Sequence, residues 1–232
     1  MSGYESQVVM VTGAQGGLGQ AVTRAYLDAG ATVVGIARRI AQDDFPSERF
    51  TALPADLSSE AGVQEAAAAV LARHGRADVL AHLMGGYEGG TRIEETRPAV
   101  FEKMFALNFW PAVYLARAFL PAMRAAGAGR ILAIGARPAV EPVATLGAYG
   151  AAKAALVSLV RTLAAENKDR GITANLILPG VIDTPANRAA MPGADFRRWV
   201  PPSRIASLAL WLTSADAADV TGALIPMYGA GA

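Results

Sequence analysis

Tyr149 and Lys153 stand four residues apart, so on a helix they share one face. A phenol with a pKa near ~10 is a poor acid or base at neutral pH. A lysine ammonium ~4 Å away, at an effective dielectric of ~20, contributes on the order of 4 kcal/mol. At about 1.4 kcal/mol per pKa unit, and after desolvation, the expected fall is roughly one to three units. The phenol would then approach the range that general acid–base catalysis needs. A Tyr-x-x-x-Lys pair taken alone is common and reads more readily as a surface pair, so its surroundings decide.

A second chemical element lies near the start of the chain, in Thr12-Gly13-Ala14-Gln15-Gly16-Gly17-Leu18-Gly19. Gly13, Gly17 and Gly19 follow a G-x-x-x-G-x-G spacing between an apolar run and a helical pattern. Such a loop lets the backbone turn sharply and approach a pyrophosphate closely, with the helix N-terminus supplying N–H donors. Glycine permits both the turn and the approach. Gln15, Gly16 and Leu18 belong to the same candidate cradle.

Stepping outward, the elements that must position these groups alternate along the chain. Strands are expected at residues 7–12, 32–37, 49–53, 79–83, 131–134, 173–178 and 223–226. Helices are expected at 18–29, 60–73, 98–126, 148–166 and 203–212. Pro111 and Pro121 should kink or break the 98–126 helix. Alternation of this kind implies an α/β fold of Rossmann type: a doubly wound parallel sheet of about seven strands, covered by helices on both faces. Residues 183–202 hold Pro185, Pro192, Pro201 and Pro202 and read as a long irregular excursion. Excursions of that length are usually lids. Residues 1–232 are expected to form one nucleotide-binding and catalytic domain.

Together these elements resemble the short-chain dehydrogenase/reductase family over nearly the whole chain. Asp56 and Leu57 follow the third strand, where that family uses an Asp near the adenine. Gly85 and Gly86 follow the fourth, where it usually has Asn-Ala-Gly. Asn108 lies in the long helix, and Pro179-Gly180-Val181-Ile182-Asp183-Thr184 follows the sixth strand. The resemblance implies that Lys153 holds the nicotinamide ribose and that Asn108 anchors a water in a proton relay. It implies that Pro179, Gly180, Ile182 and Thr184 flank the nicotinamide. The segments around Met84-Gly85-Gly86-Tyr87-Glu88-Gly89-Gly90, Gly135-Ala136-Arg137 and residues 182–199 are similar to the dihydropteridine reductase branch. In the family, the helices around residues 98–126 and 148–166 often form a dimer interface. The apolar face carrying Leu156, Leu159, Val160 and Leu163 reads either as that interface or as the protein's own core.

Two positions depart from the family pattern. The family usually has a substrate-binding serine about thirteen residues before its tyrosine, and here that residue is Ala136. An oriented donor of that kind contributes ~3 kcal/mol in a transition state. Either the chain is an impaired enzyme, or its substrate needs no such donor; the dihydropteridine reductase branch also has alanine there. The second departure lies after the second strand, in Gly35-Ile36-Ala37-Arg38-Arg39. An acidic residue there would bind ribose hydroxyls and repel a 2′-phosphate. Arg38 and Arg39 suit a phosphate instead, so NADP(H) is favoured over NAD(H).

Arg137, Tyr87 and Trp199 are candidate substrate contacts, each with a packing or surface alternative. His74 and His82 lack metal-ligand partners at suitable spacing and read as structural. The chain has 232 residues, 53% hydrophobic and 18% charged, with 21 Lys+Arg against 20 Asp+Glu. That composition suits one large core and gives no electrostatic footprint for nucleic acid. Cysteine is absent, which excludes disulfides and thiolate sites. A polar N-terminus without a signal pattern suggests the cytoplasm, and no apolar run approaches the ~18 residues of a membrane span. The expectation is an NADP(H)-dependent reductase of a small conjugated substrate such as a quinonoid dihydropteridine, assembled as a homodimer or homotetramer. A general carbonyl reductase and a nucleotide-binding regulatory protein are the alternatives.

Overall fold

The structure is a computed structural model describing residues 3–231. Seven parallel strands form one sheet in the order β3-β2-β1-β4-β5-β6-β7. They are β1 (Val8–Thr12), β2 (Thr32–Ala37), β3 (Phe50–Pro54), β4 (Val79–His82), β5 (Gly129–Ile134), β6 (Ile172–Pro179) and β7 (Leu224–Met227). The helices are α1 (Gly17–Asp28), α2 (Glu60–His74), α3 (Pro98–Asn108), α4 (Trp110–Ala126), α5 (Gly147–Asn167), α6 (Pro185–Ala190) and α7 (Pro202–Thr213).

The central strands are apolar throughout because both faces are covered. Val8 and Met10 of β1 pack into a core with α2, α4 and α5, while Val9 and Val11 pack into a second core with α1 and α7. Helix boundaries follow local chemistry. Ser59 caps α2 by accepting from the Gly62 N–H, and Gly75 ends it at φ 70°, a left-handed turn that favours glycine. The strand order reverses at β1 and β4, so a crevice opens outside the C-terminal ends of those strands, where ligands bind in such sheets.

Two expectations change. The 98–126 helix breaks at Phe109, not at its prolines. Pro111 falls in the first turn of α4, where a missing N–H is harmless, and Pro121 lies inside α4 on its exposed side. The excursion at 183–202 is not wholly irregular, since it contains α6 and a 3₁₀ turn over Phe196–Arg198. Of the two readings of the α5 face, the structure shows the core one for Leu156, Val160 and Leu163, which are buried in the protein's own core, with Leu159 packed against it.

Candidate active site

The glycine loop is shaped by contacts only glycine allows. A Cβ on Gly19 would stand 2.1 Å from the Gly13 carbonyl oxygen, and Gly13 itself has φ 68°. The Gly16 N–H donates to that same carbonyl over 2.9 Å. Helix α1 starts at Gly17 with no side-chain cap, leaving first-turn N–H groups for an anion. These features fit a dinucleotide pyrophosphate. Thr184 rests on the same loop, because a Cβ on Gly17 would come within 2.8 Å of its side chain. Leu18 turns inward and is buried.

At the rim beyond β2, Arg38 and Arg39 are exposed. Asp56 is held below the usual carboxylate range by the Ser58 N–H and hydroxyl, with the nearby Arg38 charge adding to the effect. Leu57 beside it is buried. One acid here escapes a motif reading. Gln15 donates to Asp44 Oδ2 over 2.8 Å and to the Arg39 carbonyl over 2.9 Å, which ties the glycine loop to the β2–β3 connection. The run Gln42-Asp43-Asp44 was its only trace in the sequence.

Beyond β4, Gly85 lies against two expected site residues. A Cβ there would sit 2.8 Å from Asn108 Oδ1 and 3.3 Å from Lys153 Nζ. Asn108 Oδ1 accepts from the Gly86 N–H over 3.1 Å, and Asn108 Nδ2 donates to the carbonyls of Gly86 and Met104, each over 3.0 Å. The buried Asn108 amide is thus engaged with backbone groups of Gly86 and Met104. The break between α3 and α4 follows directly after it.

Tyr149 and Lys153 do lie on one helix, α5, but the expected electrostatics are reversed. Burial, with the Tyr87 phenol beside it, pushes the Tyr149 pKa up to about 12. Burial pushes Lys153 down to about 8. The Lys153 ammonium donates to the Ile134 carbonyl over 2.8 Å. Desolvation outweighs any help that Lys153 gives the phenolate. Tyr149 therefore holds its proton firmly. Tyr87 meets it edge-on, with ring centroids 5.2 Å apart and planes at 73°, and is itself 66% exposed.

Ala136 is buried at the start of a 3₁₀ turn over Arg137–Ala139. Arg137 is not a freely solvated surface residue. Its Nε lies 2.7 Å from Glu141 Oε2, and its guanidinium is 5.1 Å from the Tyr228 ring centroid. The Gly180 N–H donates to the Met227 carbonyl, which brings Tyr228 beside the loop that follows Pro179. Tyr228 and Glu141 carried no recognisable signal in the sequence. Ile182 bridges Val200, and the Asp183 N–H donates to the Val200 carbonyl, pinching the excursion at its base. Within it, Asp183 holds Arg188 by two bonds of 2.6 and 2.8 Å, and Trp199 packs on Phe196 with centroids 4.7 Å apart.

Residues 7–194 match the family model described as "short chain dehydrogenase", and the chain belongs to that family of oxidoreductases. It is 32% identical to the rhamnolipids biosynthesis 3-oxoacyl-[acyl-carrier-protein] reductase of Pseudomonas aeruginosa, covering 96% of this chain and 95% of that protein. It is 31% identical to the cyclic-di-GMP-binding biofilm dispersal mediator protein of Escherichia coli, covering 99% of both. Among solved structures, the 3-ketoacyl-(acyl-carrier-protein) reductase from Brucella melitensis complexed with NADH superposes with a TM-score of 0.89 at 26% identity, covering 99% of both chains. No helix among the described residues is long and apolar enough to cross a membrane.

Proposed function

We propose that this chain is an NADP(H)-dependent reductase of a small conjugated substrate, a quinonoid dihydropteridine being the best example, with Tyr149 as its proton donor. One observation carries the reading. A firmly protonated Tyr149 lies on α5, which packs against the 3₁₀ turn that the buried, apolar Ala136 opens, so the site has a proton to give but lacks the usual serine donor for a developing oxyanion. A ring that is already electron-poor has little need of that donor. The relatives named above carry other substrates in their names, and the pterin assignment rests on this chain's residues.

A bound nicotinamide nucleotide would supply the hydride. The uncapped start of α1 and the loop residues Gly13, Gln15, Gly16, Gly17 and Gly19 would hold its pyrophosphate. Arg38 and Arg39 would take the 2′-phosphate, and Asp56 and Leu57 would border the adenine. Lys153 and Asn108, with Gly85 and Gly86 between β4 and α5, would position the ribose and nicotinamide side. Pro179, Gly180, Ile182 and Thr184 would close the other wall. Tyr149 delivers its proton from the phenol oxygen to the reduced substrate. Tyr87, Arg137 and Trp199 border the space where that substrate would lie, and the excursion at 183–202 excludes water from it.

The working unit is one domain over residues 1–232, in the cytoplasm, assembled as a homodimer or homotetramer. The exposed Trp110, stacked on Tyr114 at the edge of the core, supports assembly through α4. Sedimentation equilibrium showing only monomer at micromolar concentration would refute it.

Turnover of NADPH and NADH with quinonoid pterins, quinones and simple ketones tests the reading. Preferred oxidation of NADPH by the pterins is expected, and preferred turnover of simple ketones would mark a general carbonyl reductase. A second reading, a nucleotide-binding regulatory protein, is favoured by Ala136 and by the Escherichia coli relative. Nucleotide binding without turnover on any acceptor would establish that reading instead.

A further inference from the structure

His82 ends β4 with its side chain almost fully buried, 3% of the residue being exposed. Its Nδ1 lies 3.0 Å from Thr12 Oγ1. That hydroxyl oxygen already accepts two backbone N–H groups, from Leu83 over 3.1 Å and from Met84 over 3.2 Å. A hydroxyl has two lone pairs and one proton. With both lone pairs engaged, the proton is what remains for His82, so Thr12 donates and Nδ1 accepts. The ring proton must then sit on Nε2, a buried atom with no hydrogen-bond partner among the described residues. A charged ring would need a second proton on Nδ1, pointed at a hydroxyl with no lone pair left. Burial and the Lys153 ammonium on α5, the charged group this ring faces, also keep it neutral.

The bond has a place in the site. Thr12 is the last residue of β1, and the glycine loop begins at the next residue. A Cβ on Gly13 would come within 3.2 Å of the Met84 backbone, so loop and strand end are in close register. Gly85 then packs against Asn108 and Lys153. The Thr12 hydroxyl thus joins the pyrophosphate end of the site to its ribose end.

We propose that His82 is a positioning residue: by taking the Thr12 proton it fixes that oxygen as a double acceptor, and so sets the glycine loop against residues 83–86. It acts through Thr12. The inference rests on the cofactor reading of the glycine loop given above. An amide oxygen at position 82 could also take the proton, whereas an aliphatic side chain could not.

The chain has only two histidines, His74 and His82, so nitrogen-15 labelling of histidine resolves both rings by NMR. His82 is expected to carry its proton on Nε2 and to show no titration between about pH 5 and 8. A proton on Nδ1, or titration within that window, would overturn the proposal. The functional half compares cofactor dissociation constants, by NADPH and NADH fluorescence, in His82→Asn, His82→Leu, Thr12→Val and the double variant His82→Leu/Thr12→Val. His82→Leu should weaken binding about tenfold, with kcat at saturating cofactor changed far less. His82→Asn should stay within about twofold of wild type, and the double variant should bind no worse than Thr12→Val alone. Equal damage from Asn and Leu, or additive losses in the double variant, would overturn the positioning role. Wild-type protein that binds neither nucleotide would refute the cofactor reading and this role with it. The NMR measurement decides the hydrogen bond independently of both.

Discussion

The Lys153 ammonium donates to the carbonyl of Ile134 over 2.8 Å, at the end of β5 and two residues before Ala136. This bond fixes the first turns of α5 to the sheet and spends one of the three ammonium protons on the backbone. Two protons remain for the ribose contact proposed above. Among the described residues the buried charge has no carboxylate partner, which is costly. Such a cost is tolerated at functional sites, and it gives a direct test.

Lys153→Met should stabilise the cofactor-free protein at pH 7 while abolishing its reductase activity. The Lys153 pKa falls from 10.5 to about 8 on folding. Between those values the unfolded chain binds more protons than the folded one, so stability rises with pH across that window. Below about pH 8 both states are protonated and the folded state carries the whole cost, on the order of 3 kcal/mol at most. Methionine removes that cost but leaves the Ile134 carbonyl unpaired, a loss of about 1 kcal/mol. Thermal denaturation should show a higher Tm for the variant at pH 7, with the gap closing toward pH 10. A variant less stable than wild type at pH 7 would mean the ammonium is not buried as described.

Tyr149→Phe should reduce turnover by about 10²- to 10⁴-fold, the usual worth of a positioned acid. Cofactor affinity should stay within a few-fold, because the phosphate contacts lie at the other end of the site. The edge-on contact with Tyr87 needs only the ring, so Tm should barely move. Near wild-type turnover would remove Tyr149 from the mechanism.

The sequence made legible what depends on backbone shape and burial. Gly13, Gly17 and Gly19 are read directly, because Gly13 has a positive φ and a Cβ on Gly17 or Gly19 would meet the Thr184 side chain or the Gly13 carbonyl. The seven strands are read from their apolar runs, with ends displaced by one or two residues. Contacts between distant segments were not legible. Asp44 reaches Gln15 across 29 positions, and Tyr228 meets Arg137 only because β7 returns beside β6. The Tyr149 pKa departs from the expectation for a related reason: spacing along α5 gives the distance to a charge, but desolvation depends on everything folded around it.

Arg38→Asp should move preference from NADPH toward NADH. The substitution removes a phosphate donor and adds an acceptor for ribose hydroxyls. It also puts a second carboxylate near Asp56, whose pKa already responds to Arg38. The ratio of kcat/KM values for the two cofactors should change by about tenfold or more, with NADPH falling as NADH rises. A parallel fall for both would indicate a general rim effect, and discrimination would then lie with Arg39 or Asp44.

Ala136→Ser tests why that position lacks a hydroxyl. Ala136 is buried, so a new hydroxyl must find a partner or carry a small desolvation cost. Its own 3₁₀ turn offers one, since the Arg137–Ala139 backbone begins directly after it. With an electron-poor ring such as a quinonoid pterin, turnover should change little, because the Tyr149 proton suffices. With simple ketones, charge develops on one oxygen, and a recovered donor of ~3 kcal/mol corresponds to on the order of 10²-fold in kcat/KM. The assay compares both proteins on both substrate classes at saturating NADPH. A gain confined to ketones would support the absence of serine as a mark of the substrate. Strong ketone turnover by wild type, unchanged by the serine, would show that the site already supplies a second donor, with Arg137 the first residue to examine.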